Sequence, residues 1–375
     1  MGTGTSAMEG VAGMINETFW QGKKVLVTGH TGFKGSWLTM WLSLMGAEVV
    51  GYALPPSTKP NLYNAANIQA LSRDSIIGDV NDYSALLKVM SEYEPEIVFH
   101  LAAQPLVQTS YEHPVSTFHT NAMGTVYLLE AVRHTASVRA VINVTSDKCY
   151  RNTGETTLSF REEDPLGGHD PYSASKACAE IIAASYRDSY FRSEDGQGPR
   201  MASVRAGNVI GGGDWTESRL LPDVIRACSA SEPLLVRNPN AVRPWQHVLE
   251  PVHGYLLLAE KLWDHPQYAD GWNFGPLEQP DTTVQDIIQM AAEIWQVDIQ
   301  VVLEQAATRY EAPRLSLDSN KAAQLLNWHP KLSIREAVAW TMSWHQQHRA
   351  GMNARLLSER QIVDYVRREG GREGE

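Results

Sequence analysis

The chain predicts an open, doubly wound parallel α/β sheet followed by a smaller α/β lobe, and three observations predict it. Short β-branched strands alternate with helical segments through the first half of the sequence. The first strand runs into a Gly-x-x-Gly-x-x-Gly turn and then an apolar helix. Beyond Gly211-Gly212-Gly213, which reads as a hinge, the alternation loosens, and a length of 375 residues leaves room for a second lobe.

Lys23-Lys24-Val25-Leu26-Val27-Thr28-Gly29 reads as a buried strand, His30 to Gly35 as its turn, and Ser36 to Met45 as the helix. Glycines there permit a tight turn, let backbone approach a pyrophosphate, and pack helix closely on sheet, while the helix N-terminus faces the negative charge. Gly29, Thr31, Gly32, Phe33, Lys34 and Gly35 are therefore candidate contacts to a dinucleotide in a Rossmann-type fold. The second strand, Glu48 to Leu54, should end in an acid for the adenosine ribose. It runs into Pro55-Pro56 instead, which leaves NAD and NADP open, and Lys34 adds a cation near either phosphate.

A third strand, Asp74 to Val80, ends in Gly-Asp-Val. Asp79, beside Val80, accepts a hydrogen bond from an adenine amino group or caps the helix Tyr83 to Met90. The fourth strand starts at Glu96 and gives way to Leu101-Ala102-Ala103, whose small side chains leave a flat ring access to the backbone. Gln104 at the same exit is a substrate contact or a plain loop glutamine. A long helix, Pro114 to His134, carries Val126, Leu129 and Val132 on one face; its other apolar residues pack into the core or against a twin subunit.

The strand Val138 to Val144 then delivers Thr145-Ser146-Asp147-Lys148. An unpaired buried charge is costly without a partner or a task, and the carboxyl ends of parallel strands are where ligands sit. Capping a helix is the simpler use of Ser146 and Asp147. The cluster Tyr172-Ser173-Ala174-Ser175-Lys176 just downstream tips the balance toward chemistry, because Tyr172 and Lys176, four apart, share one helix face.

Composition bounds the partners. A net charge of -11 without a basic stripe excludes a nucleic-acid surface. Arg219, Arg243 and Arg314, spread through the second lobe, are then candidates for a diphosphate clamp, since arginine gives bidentate contacts to phosphate. Three cysteines, Cys149, Cys178 and Cys228, lack metal-ligand spacing, predict no metal, and fit a reducing cytoplasm. No apolar run approaches the roughly 20 residues of a membrane helix. The chain divides into a flexible leader over 1–18, a dinucleotide-binding domain over 19–208 to which 245–275 returns, a substrate-binding lobe from 209–244 and 276–366, and a disordered tail over 367–375.

From Phe19 to His345 these residues resemble the nucleotide-sugar branch of the extended short-chain dehydrogenase/reductase family. The likeness rests on Thr28 to Gly35, Leu101-Ala102-Ala103, Tyr172 to Lys176, Arg205 to Asn208, and Leu317 to Trp328. Dehydratases of that branch place Asp-Glu after a Ser or Thr; this chain has Ser146-Asp147-Lys148, and with Arg243-Pro244-Trp245-Gln246-His247-Val248 it is similar to those acting on a CDP-linked hexose. The resemblance implies an NAD-dependent lyase converting CDP-D-glucose to CDP-4-keto-6-deoxy-D-glucose for deoxysugar and surface polysaccharide synthesis, working as a homodimer or homotetramer. A 4-epimerase, a dehydratase of another sugar nucleotide, and a non-catalytic dinucleotide-binding sensor are the competing readings.

The resemblance assigns catalysis to Ser146, Asp147, Lys148, Tyr172 and Lys176. Tyr172, its pKa lowered from about 10 by Lys176 and a positive nicotinamide, takes the C4 hydroxyl proton. Lys148 stands where relatives carry a glutamate base, or binds phosphate or cofactor instead, and Asp147 is protonated to give its proton to the departing C6 hydroxyl. Thr145, Gln104, Asn208, Leu221 and His247 join the three arginines as substrate contacts.

Overall fold

The computed structural model describes residues 13–154, 159–192, 198–230, 232–277, 281–304 and 312–368. Eleven strands are described: β1 Lys24–Thr28, β2 Glu48–Ala53, β3 Asp74–Ile77, β4 Ile97–His100, β5 Ala140–Val144, β6 Arg200–Ala206, β7 Asn208–Ile210, β8 Leu234–Val236, β9 Trp245–His247, β10 Gly271–Phe274 and β11 Val301–Leu303. Seven form the central sheet in the order β10-β6-β5-β4-β1-β2-β3, every pairing parallel. β4 and β5 are buried along their whole length, as a sheet covered on both faces requires.

The principal helices are α1 Phe33–Leu44, α2 Tyr83–Tyr93, α3 Gly124–Arg133, α4 Pro171–Tyr186, α5 Leu220–Ala230, α6 Leu249–Asp264, α7 Val284–Trp295, α8 Ile334–Arg349 and α9 Ala354–Arg367. One face of the sheet packs on α1, α6 and α9 around Trp37, Leu256 and Tyr365. The other packs on α2 and α3 around Leu86, Leu128 and Val132. A third cluster joins α5, α7 and α8 beneath β8 and β11, a separate parallel pair. Both α6 and β10 belong to the central sheet's layers, β10 pairing with β6.

Several expectations shift. The turn after β1 enters its helix at Phe33, not Ser36, because the extended backbone of Gly32 is already the N-cap. Asp82 caps α2 through its side chain on Ala85 N, which removes Asp79 from that role. The segment 114–133 is interrupted by a π turn over His119–Met123. Gly211 to Gly213 is no loose hinge: a Cβ on Gly212 would lie 2.1 Å from the Trp344 ring, and Gly213 has φ of +80° with Leu62 against it. Gly212 and Gly213 thus meet Trp344 and Leu62, which share one buried core.

Part of the segment expected as a flexible leader is packed. Residues 1–12 lie outside the described residues. From there Ile15 packs on the core, and Asn16 N and Trp20 Nε1 donate to Glu260 Oε1 of α6 at 3.0 and 2.6 Å. At the other end α9 runs through Arg367, and Arg368 donates to Glu336; 369–375 lie outside the described residues. No described helix is long and apolar enough to cross a membrane.

Candidate active site

β1, β4 and β5 are adjacent and parallel, so their carboxyl ends lie along one edge of the sheet. At β1, a Cβ on Gly35 would sit 2.2 Å from Gly29 O, and one on Gly29, whose φ is +79°, would sit 2.7 Å from Ala102 N. Only glycine lets the turn, the helix and the β4 exit close to this distance. Thr31 Oγ1 donates to Leu54 O and ties the turn to β2. Thr31, Gly32 and Phe33 then line a crevice closed by Pro56 to Leu62 and by Gly213 to Thr216. A backbone cradle with no side chain in the way, at the N-terminus of a 12-residue helix, fits a pyrophosphate.

At β5, Asp147 is 2% exposed. Its Oδ1 accepts from Ser146 Oγ at 2.9 Å, while Oδ2 is buried without a hydrogen-bond partner. Burial pushes its pKa up, only partly opposed by Lys148, Ser146 and Arg243. Burial without a partner for Oδ2 disfavours the charged form of the carboxyl. Ser146 also acts on the Tyr172 phenol, drawing its pKa down, and it accepts from Lys148 N at 3.2 Å, so the capping role coexists.

Lys148 lines a cleft of about 490 Å3, counting its open mouth, together with Asn152, Asp170, Ser173, Arg243 and Leu315. Tyr172 and Lys176 sit in the first turns of α4, whose N-cap Asp170 accepts from Ser173 N at 2.9 Å and Ser173 Oγ at 2.6 Å. Lys176 is 5% exposed and donates to Val144 O at 3.3 Å; burial draws its pKa down to about 8. The expected lowering of Tyr172 is not seen. Burial, the largest effect, raises the phenol to about 12, and the hydrogen bond with Ser146 offsets only part of it.

Lys34 points inward, donating to Tyr255 OH at 3.3 Å, within the electrostatic reach of Lys176, Arg219 and Asp147; burial brings it to about 7. Arg219 reaches the same region but is paired with Asp214 at 3.0 Å. Arg243 borders Lys148 and donates to Val242 O and Pro313 O. Arg314 is bound to Asp281 at 2.5 Å, and its strand bridges Val242 beside Arg243. The three arginines are thus engaged with the protein rather than poised as open forks.

Other expected contacts are turned away. His247 is fully buried between the rings of Trp37 and Trp340, 6.0 and 5.7 Å away, with its Nδ1 accepting from Leu249 N. Leu221 is in the core under the second lobe. The Gln104 amide is spent on its own loop, donating to Leu106 O and Thr117 Oγ1 and accepting from Leu106 N. Thr145 Oγ1 donates to Glu180 and Val204 O, behind the strand exit. The Val80 side chain is core, packed against Gly124. Asp79 closes a turn by accepting from Asn81 N at 2.9 Å. Asn208 is half-buried in β7, its N–H on Pro244 O. Leu101 and Ala102 are held to Thr28, their N–H groups bonding its backbone and hydroxyl oxygens, and Ala103 is half-buried beside them.

Sequence reasoning missed Glu180 and the α4 cap Asp170. Both carried a signal: Glu180 continues the Tyr172–Lys176 spacing by one more turn, and Asp170-Pro171 is a helix-start pair.

The model of the family described as GDP-mannose 4,6 dehydratase matches residues 26–341. The chain belongs to that family. Within the GDP-mannose 4,6 dehydratase family it is 46% identical to the CDP-glucose 4,6-dehydratase of Salmonella typhimurium over 94% of this chain and 99% of that protein. It is 27% identical to a dTDP-glucose 4,6-dehydratase of Xanthomonas campestris over 85% and 92%. Among solved structures it is similar to the UDP-glucose 4-epimerase of Thermotoga maritima with UDP-glucose (TM-score 0.76, 24% identity, 86% of this chain and 99% of that one). A dTDP-glucose 4,6-dehydratase from Bacillus anthracis in complex with NAD superposes with TM-score 0.72 at 24% identity, over 88% and 98%. These structural likenesses show a shared fold.

Proposed function

We propose that this chain is an NAD-dependent hydro-lyase that converts CDP-D-glucose to CDP-4-keto-6-deoxy-D-glucose. The observation that carries the reading is the buried, half-satisfied carboxyl of Asp147 bonded by Ser146, which also acts on Tyr172, with Lys148 lining the adjoining cleft. The choice of a CDP-linked hexose rests on the 46% identity to a protein of that activity.

Gly29, Thr31, Gly32, Phe33 and Gly35 would hold the dinucleotide, and Lys176 would stand beside it as a cation. NAD, when bound, supplies a hydride acceptor and donor and a positive ring whose charge favours the Tyr172 phenolate. Tyr172 takes the proton of the C4 hydroxyl while Ser146 bonds the same oxygen. The C4 ketone acidifies C5, and Lys148 removes that proton. Asp147, whose burial favours the protonated carboxyl, gives its proton to the C6 hydroxyl, which leaves as water; the product is completed when the hydride taken from C4 is returned to C6 and Lys148 gives its proton back to C5. Because burial alone keeps the phenol protonated, proton removal waits on a filled site.

The test is a panel of CDP-, UDP-, GDP- and dTDP-hexoses followed by product mass. Loss of one water with CDP-glucose and no net NADH is expected. An unchanged mass with an altered sugar would establish an epimerase, and stoichiometric NADH release a dehydrogenase. Binding of NAD without turnover of any sugar would leave a sensor. The working form is a homodimer or homotetramer in the cytoplasm: Val115, Met123 and Ile181 are exposed apolar residues on neighbouring helices, and Cys149, Cys178 and Cys228 are unpaired. Light scattering decides the former.

A further inference from the structure

Behind the cleft lies a buried charged network that the reaction scheme does not use. Glu180, on α4 one turn beyond Lys176, is 4% exposed, and Arg205 of β6 is 5% exposed. Arg205 Nε donates to Glu180 Oε1 and Nη2 to Oε2, both at 2.9 Å, a bidentate fork. Glu180 Oε1 also accepts from Thr145 Oγ1, so the carboxylate grips the first residue after β5. The other side of the guanidinium donates to Tyr150 OH at 2.7 Å and to Glu162 O at 2.9 Å. Tyr150 OH passes its own hydrogen to Asn273 Oδ1 at 2.7 Å, and the Tyr150 ring stacks on Phe160 at 4.9 Å. Gly271 carries no side chain because its Cβ would lie 2.7 Å from Arg205 Nη2.

The segment 145–150, which bears Ser146, Asp147 and Lys148, is thus held at both ends by one ion pair: at Thr145 through the carboxylate, at Tyr150 through the guanidinium. A second consequence is electrostatic. The titratable groups whose charges act on or feel the Lys176 ammonium are Glu180 on its own helix, Cys149 from the turn after β5, His100 from β4 and Lys34 from α1. Burial keeps the Cys149 thiol protonated and His100 neutral, and Lys34 is of like sign. Glu180 alone among these is an acid held in an ion pair. We infer that Glu180, paired with Arg205, is a positioning residue for this site: it fixes the 145–150 segment by its grip on Thr145 and sets the charge that faces Lys176 from the next turn of the same helix. The inference deepens the proposed reaction and rests on it for the roles of Lys176 and Asp147.

Burial pulls the Lys176 pKa down and Glu180 opposes it. Loss of the carboxylate should therefore deprotonate Lys176 at lower pH, moving the alkaline limit of function downward. Glu180→Gln keeps the shape and an acceptor for Thr145 while removing the charge. Cofactor binding needs no sugar, so NAD affinity measured by fluorescence from pH 6 to pH 10 separates this inference from the choice of substrate. Wild type and Glu180→Gln should bind alike near pH 6, with affinity in the variant falling off about one pH unit earlier. The alkaline limb of kcat/KM, on whichever sugar nucleotide the wild type turns over, should move by the same amount.

Identical alkaline limits in the two proteins would overturn the electrostatic half. If the lone Arg205 charge prevents Glu180→Gln from folding, Glu180→Gln with Arg205→Gln removes a net-neutral pair: kcat should then fall through loss of the grip with little movement of the alkaline limit, and wild-type kcat, or an alkaline limit moved as far as for a lone charge, would overturn the inference. Thr145→Val isolates the grip: kcat should drop about tenfold or more with KM and the alkaline limit unchanged, and Thr145→Ser should restore it. A Thr145→Val enzyme with wild-type kcat would overturn the positioning half. Failure of the wild type to act on CDP-glucose would count against the proposed substrate and leave the pH shift standing.

Discussion

Asp147 combines two properties that oppose each other in any ordinary aspartate: almost no exposure, and an oxygen with nothing to bond. Both are relieved if the group carries a proton and hands it to a leaving hydroxyl. Asp147→Asn preserves the shape and the bond from Ser146 but has no proton to give. It should slow formation of the dehydrated product by about a hundredfold or more, while transient reduction of the cofactor, followed at 340 nm in the first turnover, stays near the wild-type rate. Equal losses in the two steps would take Asp147 out of the acid role. Lys148 makes the complementary prediction. Lys148→Ala should lose both turnover and exchange of the C5 proton with deuterated solvent, whereas Lys148→Glu, which restores a base of another charge type, should recover both. Recovery of neither would assign Lys148 to binding.

The helix α4 shows how local structure and chemistry meet, since it carries Tyr172, Lys176 and Glu180 on successive turns and begins at a cleft residue. Asp170 caps it, bonding both Ser173 N and Ser173 Oγ. Asp170→Ala should cost about 1 kcal/mol of stability and lower kcat more than the stability change alone accounts for, because the first turn holding Tyr172 frays. A denaturant midpoint and a rate measured on the same preparation separate the two effects. The strands and helices that build the sheet were legible because periodicity and turn glycines are local signals, and the Gly29–Gly35 cradle and the Tyr172–Lys176 pair followed from spacing. What the sequence withheld was direction. His247, Thr145 and Leu221 stand at the right places along the chain, yet their side chains are committed to Trp37, Glu180 and the core around α5 by partners far away in sequence, while Gln104 is bound to Leu106 in its own loop and to Thr117. Side-chain commitment depends on tertiary packing, which a one-dimensional pattern does not encode.

Two lobes suggest two independently folding units, and the packing argues otherwise. One cluster of buried residues contains Trp20 before β1, Trp37 in α1, Leu256 in α6, Trp344 in α8 and Tyr365 in α9, so the chain's last helices complete the core that its first strand begins. Glu250 is the polar centre of that junction. It is 1% exposed, and its carboxylate accepts from Lys331 N, from Leu332 N at 2.8 Å and from Tyr365 OH at 2.5 Å, while Lys331 Nζ reaches Arg368 O at 2.8 Å. Truncation here strands several buried donors at once, each costing about 1–3 kcal/mol when unsatisfied. Glu250→Ala should therefore lower stability by about 3 kcal/mol or more. Because the two lobes share this core, the wild type should unfold in a single calorimetric transition, and the variant should move that transition as a whole without splitting it. Two resolved transitions in the wild type, or a shift confined to one part of the endotherm in Glu250→Ala, would mean that the lobes fold apart and that the glycine-lined seam at Gly211 to Gly213 is a joint between separate bodies.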